Sequence, residues 1–438
     1  MKKEYWVLII IINLFFVACS TSKQINRLAK NNILKNAAFI SAHTGISIYE
    51  PATQKYLYNY QGDKYFVPAS NTKLPTCYAA MKYLGDSLVG IKYVDLNDTL
   101  FVIASGDPTF LHHDFKNQRV YDFLKNSRKK IFINTSHWQD KRWGNGWSWD
   151  DYNDDYMAER SAVPMYGNLI TFSNQLKNIR VSPSYFSNKI IRDNTQDQES
   201  LPTFIQREIS SNIFFIKGED SLLTDVDIPF YTANDSILLN LLKDTLHKTV
   251  YKNYLLNKEE TAGEKEYYSQ PTDSLLELMM HRSDNFFAEQ SLLMVSDKLL
   301  GTMKDDIIID TLLKTDFKDL PQKPYWADGS GLSHYNLFSP QDFVMILNKM
   351  KNEFGMERIK NILPTGGKGT LSNYYKAESG FIFAKTGTLS GVVALSGFLY
   401  TKKNKLLIFS VLVNNHRDSG TNIRRAVEKF IKQVREEN

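Results

Sequence analysis

Ser70 and Lys73 stand three residues apart in Pro68-Ala69-Ser70-Asn71-Thr72-Lys73. On a helix that spacing puts both side chains on one face, with the lysine nitrogen in reach of the serine hydroxyl. Such a pair can make a nucleophile, because serine attacks only when a neighbouring base takes its proton. Lysine can be that base when burial or a nearby cation leaves part of it neutral. A serine at a helix start also holds its oxygen where the helix dipole favours developing negative charge. Taken singly, the same residues suit an N-cap serine beside a solvated lysine. A second polar cluster, His281-Arg282-Ser283-Asp284-Asn285, stands directly before the apolar run Phe286 to Leu293. Its hydroxyl can relay a proton and its amide can hold a carbonyl, or the whole can be a capping turn. The third cluster, Lys385-Thr386-Gly387-Thr388, ends a strand-like run from Phe381 to Ala384. A cation, a hydroxyl and a glycine on a strand can pair with an extended peptide while fixing its carboxylate. Lys-Thr-Gly is the most specific of the three, arising by chance in roughly one chain in ten of this length.

The elements that must carry these residues follow from periodicity. Ile25, Leu28 and Leu34 suggest a short amphipathic helix, and Ile46, Ile48 and Tyr56, Tyr58, Tyr60 alternate on either side of Pro51-Ala52-Thr53 as strand, turn, strand. From Ser70, the residues Leu74, Cys77, Tyr78, Met81 and Leu84 predict a helix with one buried stripe. Pro75 near its start lacks an amide hydrogen and predicts a late helix start or a local kink. Asp273 to Leu300 is again helical in pattern. Phe381 to Thr388, Gly391 to Tyr400 and Leu406 to Asn414 are β-rich, and the last two predict antiparallel neighbours across a polar turn. A final amphipathic helix carries Ile423, Ala426, Val427, Phe430, Ile431 and Val434. Strands near both ends, closed by terminal helices, predict one α/β domain interrupted by a long insertion. The expected division is a leader over 1–18, a main domain over 19–84 and 261–438, and a mixed insertion over 85–260, between the Ser-x-x-Lys and Ser-x-Asn clusters.

Composition narrows the chemistry. The chain has 438 residues, 42% of them hydrophobic and 13% aromatic, enough for a large core and too ordered in type for a disordered scaffold. Its 53 Lys and Arg against 48 Asp and Glu leave a net charge of +5 without basic runs, which argues against a nucleic-acid partner. With two cysteines, Cys19 and Cys77, it can build neither a disulfide framework nor a cysteine-based zinc site. His112-His113 has no third ligand in its immediate pattern and reads as a polar loop, so no metal and no cofactor are expected. Gly366 to Thr370 fails the spacing of a phosphate-binding loop, and Trp143, Trp147 and Trp149 suit an aromatic core of the insertion better than a glycan platform.

The first residues read as an export signal. Lys2 and Lys3 precede an apolar run from Trp6 to Val17 that is too short for a comfortable membrane span. Phe16-Val17-Ala18-Cys19 resembles a bacterial lipobox, in which Cys19 would become the lipidated first residue of a periplasmic protein tethered to a membrane. An ordinary signal peptide or an uncleaved anchor also fits this segment.

The order of the three clusters resembles that of the penicillin-recognising serine enzymes, which are DD-peptidases and β-lactamases. Further stretches are similar to those of class C low-molecular-mass penicillin-binding proteins, the D-Ala-D-Ala carboxypeptidase/endopeptidase group. They are Ala104 to Thr109, Gly146-Trp147-Ser148-Trp149-Asp150-Asp151, Asp328-Gly329-Ser330-Gly331-Leu332-Ser333, Leu363-Pro364 to Leu371, and Ala384 to Gly391. The resemblance implies an antiparallel sheet flanked by helices, with an accessory region inserted after the nucleophile helix. It implies Ser70 as nucleophile, Lys73 as general base, Ser283 as proton relay to the leaving D-alanine, and Asn285 as the group orienting the acyl donor. Lys385 and Thr386 would hold the terminal carboxylate beside Gly387, with the N–H groups of Ser70 and Thr388 as oxyanion hole. Asp151, with Asp150 beside it, would meet the free amine of the peptide's dibasic residue. His334 stands where the family usually has arginine. Peptidoglycan stem peptides are the implied substrate and β-lactams the implied trap. A β-lactamase, or a tethered peptidoglycan-binding protein without turnover, remain the competing expectations.

Overall fold

The computed structural model describes residues 21–175, 178–192, 203–218, 223–253 and 263–438. The leader and Cys19 lie outside the described residues. The chain divides into two compact units, one of residues 1–78, 277–283 and 312–438, the other of 79–276 and 284–311. The second unit therefore reaches further than the expected insertion of 85–260. The reason is a long-range pairing: Lys265–Pro271 lies antiparallel to Ser87–Leu96, which carries the residues after 260 into the second unit's sheet.

The first unit is built on a five-stranded antiparallel sheet in the order Ile382–Leu389, Val392–Tyr400, Leu406–Asn414, His43–Glu50, Lys55–Tyr60. Strands from the two ends of the chain thus close one sheet, as the pattern predicts, and the last two C-terminal strands are antiparallel neighbours. On one face Ile25, Leu28 and Ile33 pack with Ile423, Val427, Phe430 and Ile431 of the helix Gly420–Glu437. The other face meets the helix Pro340–Ile362, which turns at Gly355, where φ is +75°. That long helix is opened by Ser339, which accepts from the Asp342 N–H while Asp342 accepts from the Ser339 N–H.

The nucleophile segment departs from the expected helix. Ala69–Thr72 is a 3-10 turn and the α-helix runs over Lys73–Tyr83, so Ser70 precedes the helix instead of opening it. Pro75 falls in the first turn, where an amide has no acceptor to lose, and the late start follows without a kink. Residues 71–81 are all buried, not a single stripe, because the segment is enclosed on every side.

The second unit has its own five-stranded mixed sheet, ordered Val250–Asn253, Lys130–Asn134, Thr99–Ala104, Ser87–Leu96, Lys265–Pro271, and two three-stranded sheets. Phe172, Phe186, Phe214 and Phe230 form its aromatic centre. The three tryptophans do not. Trp149 is 68% exposed, and the guanidinium groups of Arg142 and Arg160 lie 3.9 and 5.6 Å from the rings of Trp143 and Trp147. Among the described residues no helix is long and apolar enough to cross a membrane.

Candidate active site

Lys73 is the first residue of its helix and is fully buried, with Nζ 3.1 Å from Ser70 Oγ and donating to the main-chain carbonyl of Ser330 at 2.8 Å. A nitrogen tied down by a carbonyl on one side keeps a fixed direction toward the serine on the other. Ser70 itself is only partly buried. The reacting hydroxyl is thus reachable while its nitrogen partner is sealed behind it.

That arrangement depends on a strained turn. Ala69 has φ +47°, a left-handed conformation that costs a residue with a Cβ about 1 to 2 kcal/mol. Thr72 Oγ1 donates to the Ala69 carbonyl at 2.9 Å, and the turn is pinched between two glycines. A Cβ on Gly331 would lie 2.0 Å from the Ala69 oxygen, and one on Gly387 would lie 2.6 Å from the Pro68 oxygen. Both glycines are therefore needed for close backbone approach, and Gly387 brings the Lys-Thr-Gly strand onto the nucleophile turn.

Asp328 folds the loop that supplies the Ser330 carbonyl. Its carboxylate accepts from the N–H groups of Gly331 and Ser333 at 2.8 and 2.7 Å and from Asn336 Nδ2 at 2.7 Å, all fully buried. Asp328→Ala would strand these donors, and each lost bond costs about 1 to 3 kcal/mol. The expected outcome is a fall of at least about 8 °C in Tm, read by calorimetry, together with slower acylation.

On the neighbouring strand Lys385 is also fully buried, and its Nζ donates to Ser283 Oγ and to the Thr386 carbonyl, both at 2.8 Å. Burial first, and the charge of Lys73 second, hold its ammonium well below the usual lysine range. Ser283 has φ +64° and joins the helix Thr272–Arg282 to the helix Asn285–Leu300, whose N-cap is Asp284, accepting from the Phe287 N–H at 2.8 Å. Thr386 is partly buried and Thr388 exposed, its Oγ1 accepting from Arg424 at 2.9 Å. The first unit thus brings together Ser70, Lys73, Ser283, Lys385, Thr386 and Gly387.

Asn285 and Asp151 belong to the second unit. Asn285 Nδ2 donates to the carbonyl of Tyr156 at 2.9 Å. Asp151 sits in the 3-10 turn Trp149–Asn153; partial burial raises its carboxyl, the Tyr156 hydroxyl opposes that, and Asp150 and Asp154 add repulsion. His112 and His113 do acquire a third group: their ring nitrogens and a carboxylate oxygen of Asp114 lie within 4.8 Å of one another. The His112 Nδ1 accepts from the Asp114 N–H at 3.3 Å and the two imidazoles stack, an arrangement that closes a loop.

Sequence reasoning gave no role to two participants. Ser330 acts through a main-chain oxygen, which every residue type possesses. Ser396, whose hydroxyl meets the side chain next to the nucleophile, lies in an apolar strand outside all three clusters.

Known proteins carry the same architecture. Penicillin binding protein 4 of Haemophilus influenzae superposes with a TM-score of 0.71 over 94% of this chain and 98% of its own, at 19% identity. A predatory peptidoglycan endopeptidase of Bdellovibrio bacteriovorus gives 0.51 over 90% and 93%, at 14% identity. At such identities the likeness is one of fold. In sequence, a D-alanyl-D-alanine carboxypeptidase of an Actinomadura species is 24% identical over 444 residues, covering 88% of this chain and 80% of its own. The D-alanyl-D-alanine carboxypeptidase DacB of H. influenzae is 23% identical over 408 residues, with 82% of each covered. With the family's model matching over residues 27–434, a span that includes Ser70, Ser283 and Lys385, the chain belongs to the D-Ala-D-Ala carboxypeptidase 3 (S13) family.

Proposed function

We propose that this serine-type D-Ala-D-Ala carboxypeptidase works through an acyl-enzyme on Ser70. The peptide's terminal carboxylate docks on Thr386 and on a protonated Lys385. Ser70 Oγ attacks the penultimate carbonyl carbon as its proton passes to Lys73, and the oxyanion is received by the N–H groups of Ser70 and Thr388. The proton then travels by way of Ser283 to the nitrogen of the leaving D-alanine as the C–N bond breaks. Water hydrolyses the ester and returns the serine. A β-lactam acylates the same oxygen, but its opened ring stays attached and obstructs the water. The observation that carries this reading is the Ser70 Oγ to Lys73 Nζ approach of 3.1 Å, with the nitrogen buried and the oxygen accessible.

The test uses the wild-type protein with labelled benzylpenicillin and with a pentapeptide ending in D-Ala-D-Ala. Peptide mapping should find the ester on Ser70, and free D-alanine should appear. Label on another residue, or penicillin hydrolysed without an accumulating ester, would refute it.

The reading extends to three finer points. Cross-links ending in the same D-Ala linkage suit the site as well, giving an endopeptidase activity. Asn285 orients the acyl donor, and Asp151 receives the free amine of the stem peptide's dibasic residue. Asp151→Asn is then expected to raise KM about tenfold for peptides with that amine free and to leave N-acetylated peptides unchanged. Finally, the chain is exported to the periplasm and lipidated at Cys19; metabolic labelling with palmitate should mark the wild type and not Cys19→Ala.

A further inference from the structure

We propose that Ser396 is a positioning residue for acylation: it holds Asn71, and with it the nucleophile turn, against the strand pair that carries Lys385. The proposal rests on the reading of Ser70 as nucleophile. In the sheet register Lys385 lies opposite Ser396, Ser396 opposite Ser410, Ser410 opposite Ser47, and Ser47 opposite Asn59. Directly paired residues project from the same face, so one polar file crosses the sheet, beginning at Lys385. Ser396, Ser410 and Ser47 are each fully buried. Hydroxyls are placed there at a cost unless they bond, and they do. Ser396 Oγ donates to Ser410 Oγ at 2.8 Å, and it accepts from Asn71 Nδ2 at 2.7 Å.

Asn71 is the residue next to the nucleophile and is itself fully buried. Among the described residues its Oδ1 meets no partner, which leaves Ser396 as the group that sets the orientation of the amide. The turn it belongs to is strained at Ala69 and needs to be held. Asn71 also donates its main-chain N–H to the Pro68 carbonyl at 3.2 Å, so the same residue closes the turn and ties it down. One hydroxyl, opposite Lys385 on the adjacent strand, thereby registers the Ser70–Lys73 pair against the carboxylate-holding lysine. Shifts of tenths of an ångström between these groups are enough to slow attack, and a 1 Å error can cost about a hundredfold.

The experiment measures acylation by a fluorescent penicillin in stopped flow, with the labelling endpoint counting competent sites, for the wild type, Ser396→Ala, Ser396→Thr and Ser410→Ala. Ser396→Ala is expected to lower the acylation rate per competent site by about 10- to 100-fold, with KM for the pentapeptide within about twofold. Ser396→Thr, which keeps the hydroxyl, should recover most of the rate. Ser410→Ala, which leaves the Asn71 contact intact, should cost less than Ser396→Ala. A Ser396→Ala protein that acylates within twofold of wild type per competent site would overturn the role, as would a deficit seen only in the endpoint or in Tm. Ser70→Ala is the control: if it still takes label, the nucleophile assignment itself falls, a failure distinct from any seen in the Ser396 series.

Discussion

Ser70→Ala, Lys73→Met and the double variant are expected to fall to the same floor, roughly ten thousand- to a millionfold below wild type in release of D-alanine from the pentapeptide, with the double variant no worse than either single one. The reason is that the two groups act as a unit. Lys73 Nζ lies 3.1 Å from Ser70 Oγ and donates to the Ser330 carbonyl at 2.8 Å, which holds the nitrogen beside the serine. Remove the oxygen and there is no proton to take; remove the nitrogen and the hydroxyl is an ordinary alcohol in a cleft. Lys73→Met keeps the volume of a fully buried side chain, and its stability should stay within about 1.5 kcal/mol of wild type. Release of D-alanine from the pentapeptide reads the rates. Additive losses in the double variant would mean that some group other than Lys73 takes the serine proton.

How far the sequence disclosed this site follows from the range of each interaction. Ser70 and Lys73 are joined by a three-residue spacing, and that was legible, although the serine turns out to precede the helix in a 3-10 turn. Ser283 and Lys385 are 2.8 Å apart across a long stretch of chain; only the order of the clusters, not any spacing, pointed to their meeting. The sheet could be anticipated because period-two alternation marks each strand, and its closure by strands from both ends is what the pattern allows. The limits of the second unit could not, since they turn on the pairing of Lys265–Pro271 with Ser87–Leu96, which no local pattern records. Ser396 and Ser410 are visible in retrospect as lone hydroxyls in the apolar strands Val392–Tyr400 and Leu406–Asn414. A serine in a strand is ordinary, and its meaning here comes from a register that exists only once the sheet is formed. Likewise Asp328 gave a family signature, but its task of aiming the Ser330 carbonyl at Lys73 depends on three buried hydrogen bonds that follow from the folded loop.

Lys385→Met is expected to separate stability from function in opposite directions. The side chain is fully buried and, among the described residues, has no carboxylate among its hydrogen-bond partners, which are Ser283 Oγ and the Thr386 carbonyl. Burial and the charge of Lys73 therefore hold its ammonium well below the ordinary range, and charging it costs the folded protein free energy. The unfolded chain keeps this proton up to about pH 10.4, whereas the folded chain releases it earlier. Between those two points the unfolded state binds more protons, so the wild type gains stability as pH rises. Lys385→Met has no such proton, and its advantage over wild type, about 1 to 3 kcal/mol where the folded wild type is still charged, should shrink as pH rises toward 10. Denaturant titrations at pH 7 and pH 9.5 measure that difference directly. On the proposed mechanism the same variant lacks the cation that would meet the peptide's carboxylate, and KM for the pentapeptide should rise at least about a hundredfold. In the wild type the corresponding signature is a KM that climbs on the alkaline side, as Lys385 loses its proton, before lysines exposed to solvent titrate. If Lys385→Met proved less stable than wild type at pH 7 while KM stayed unchanged, the lysine would be a structural hydrogen-bond donor, and the carboxylate would have to be held by Thr386 alone.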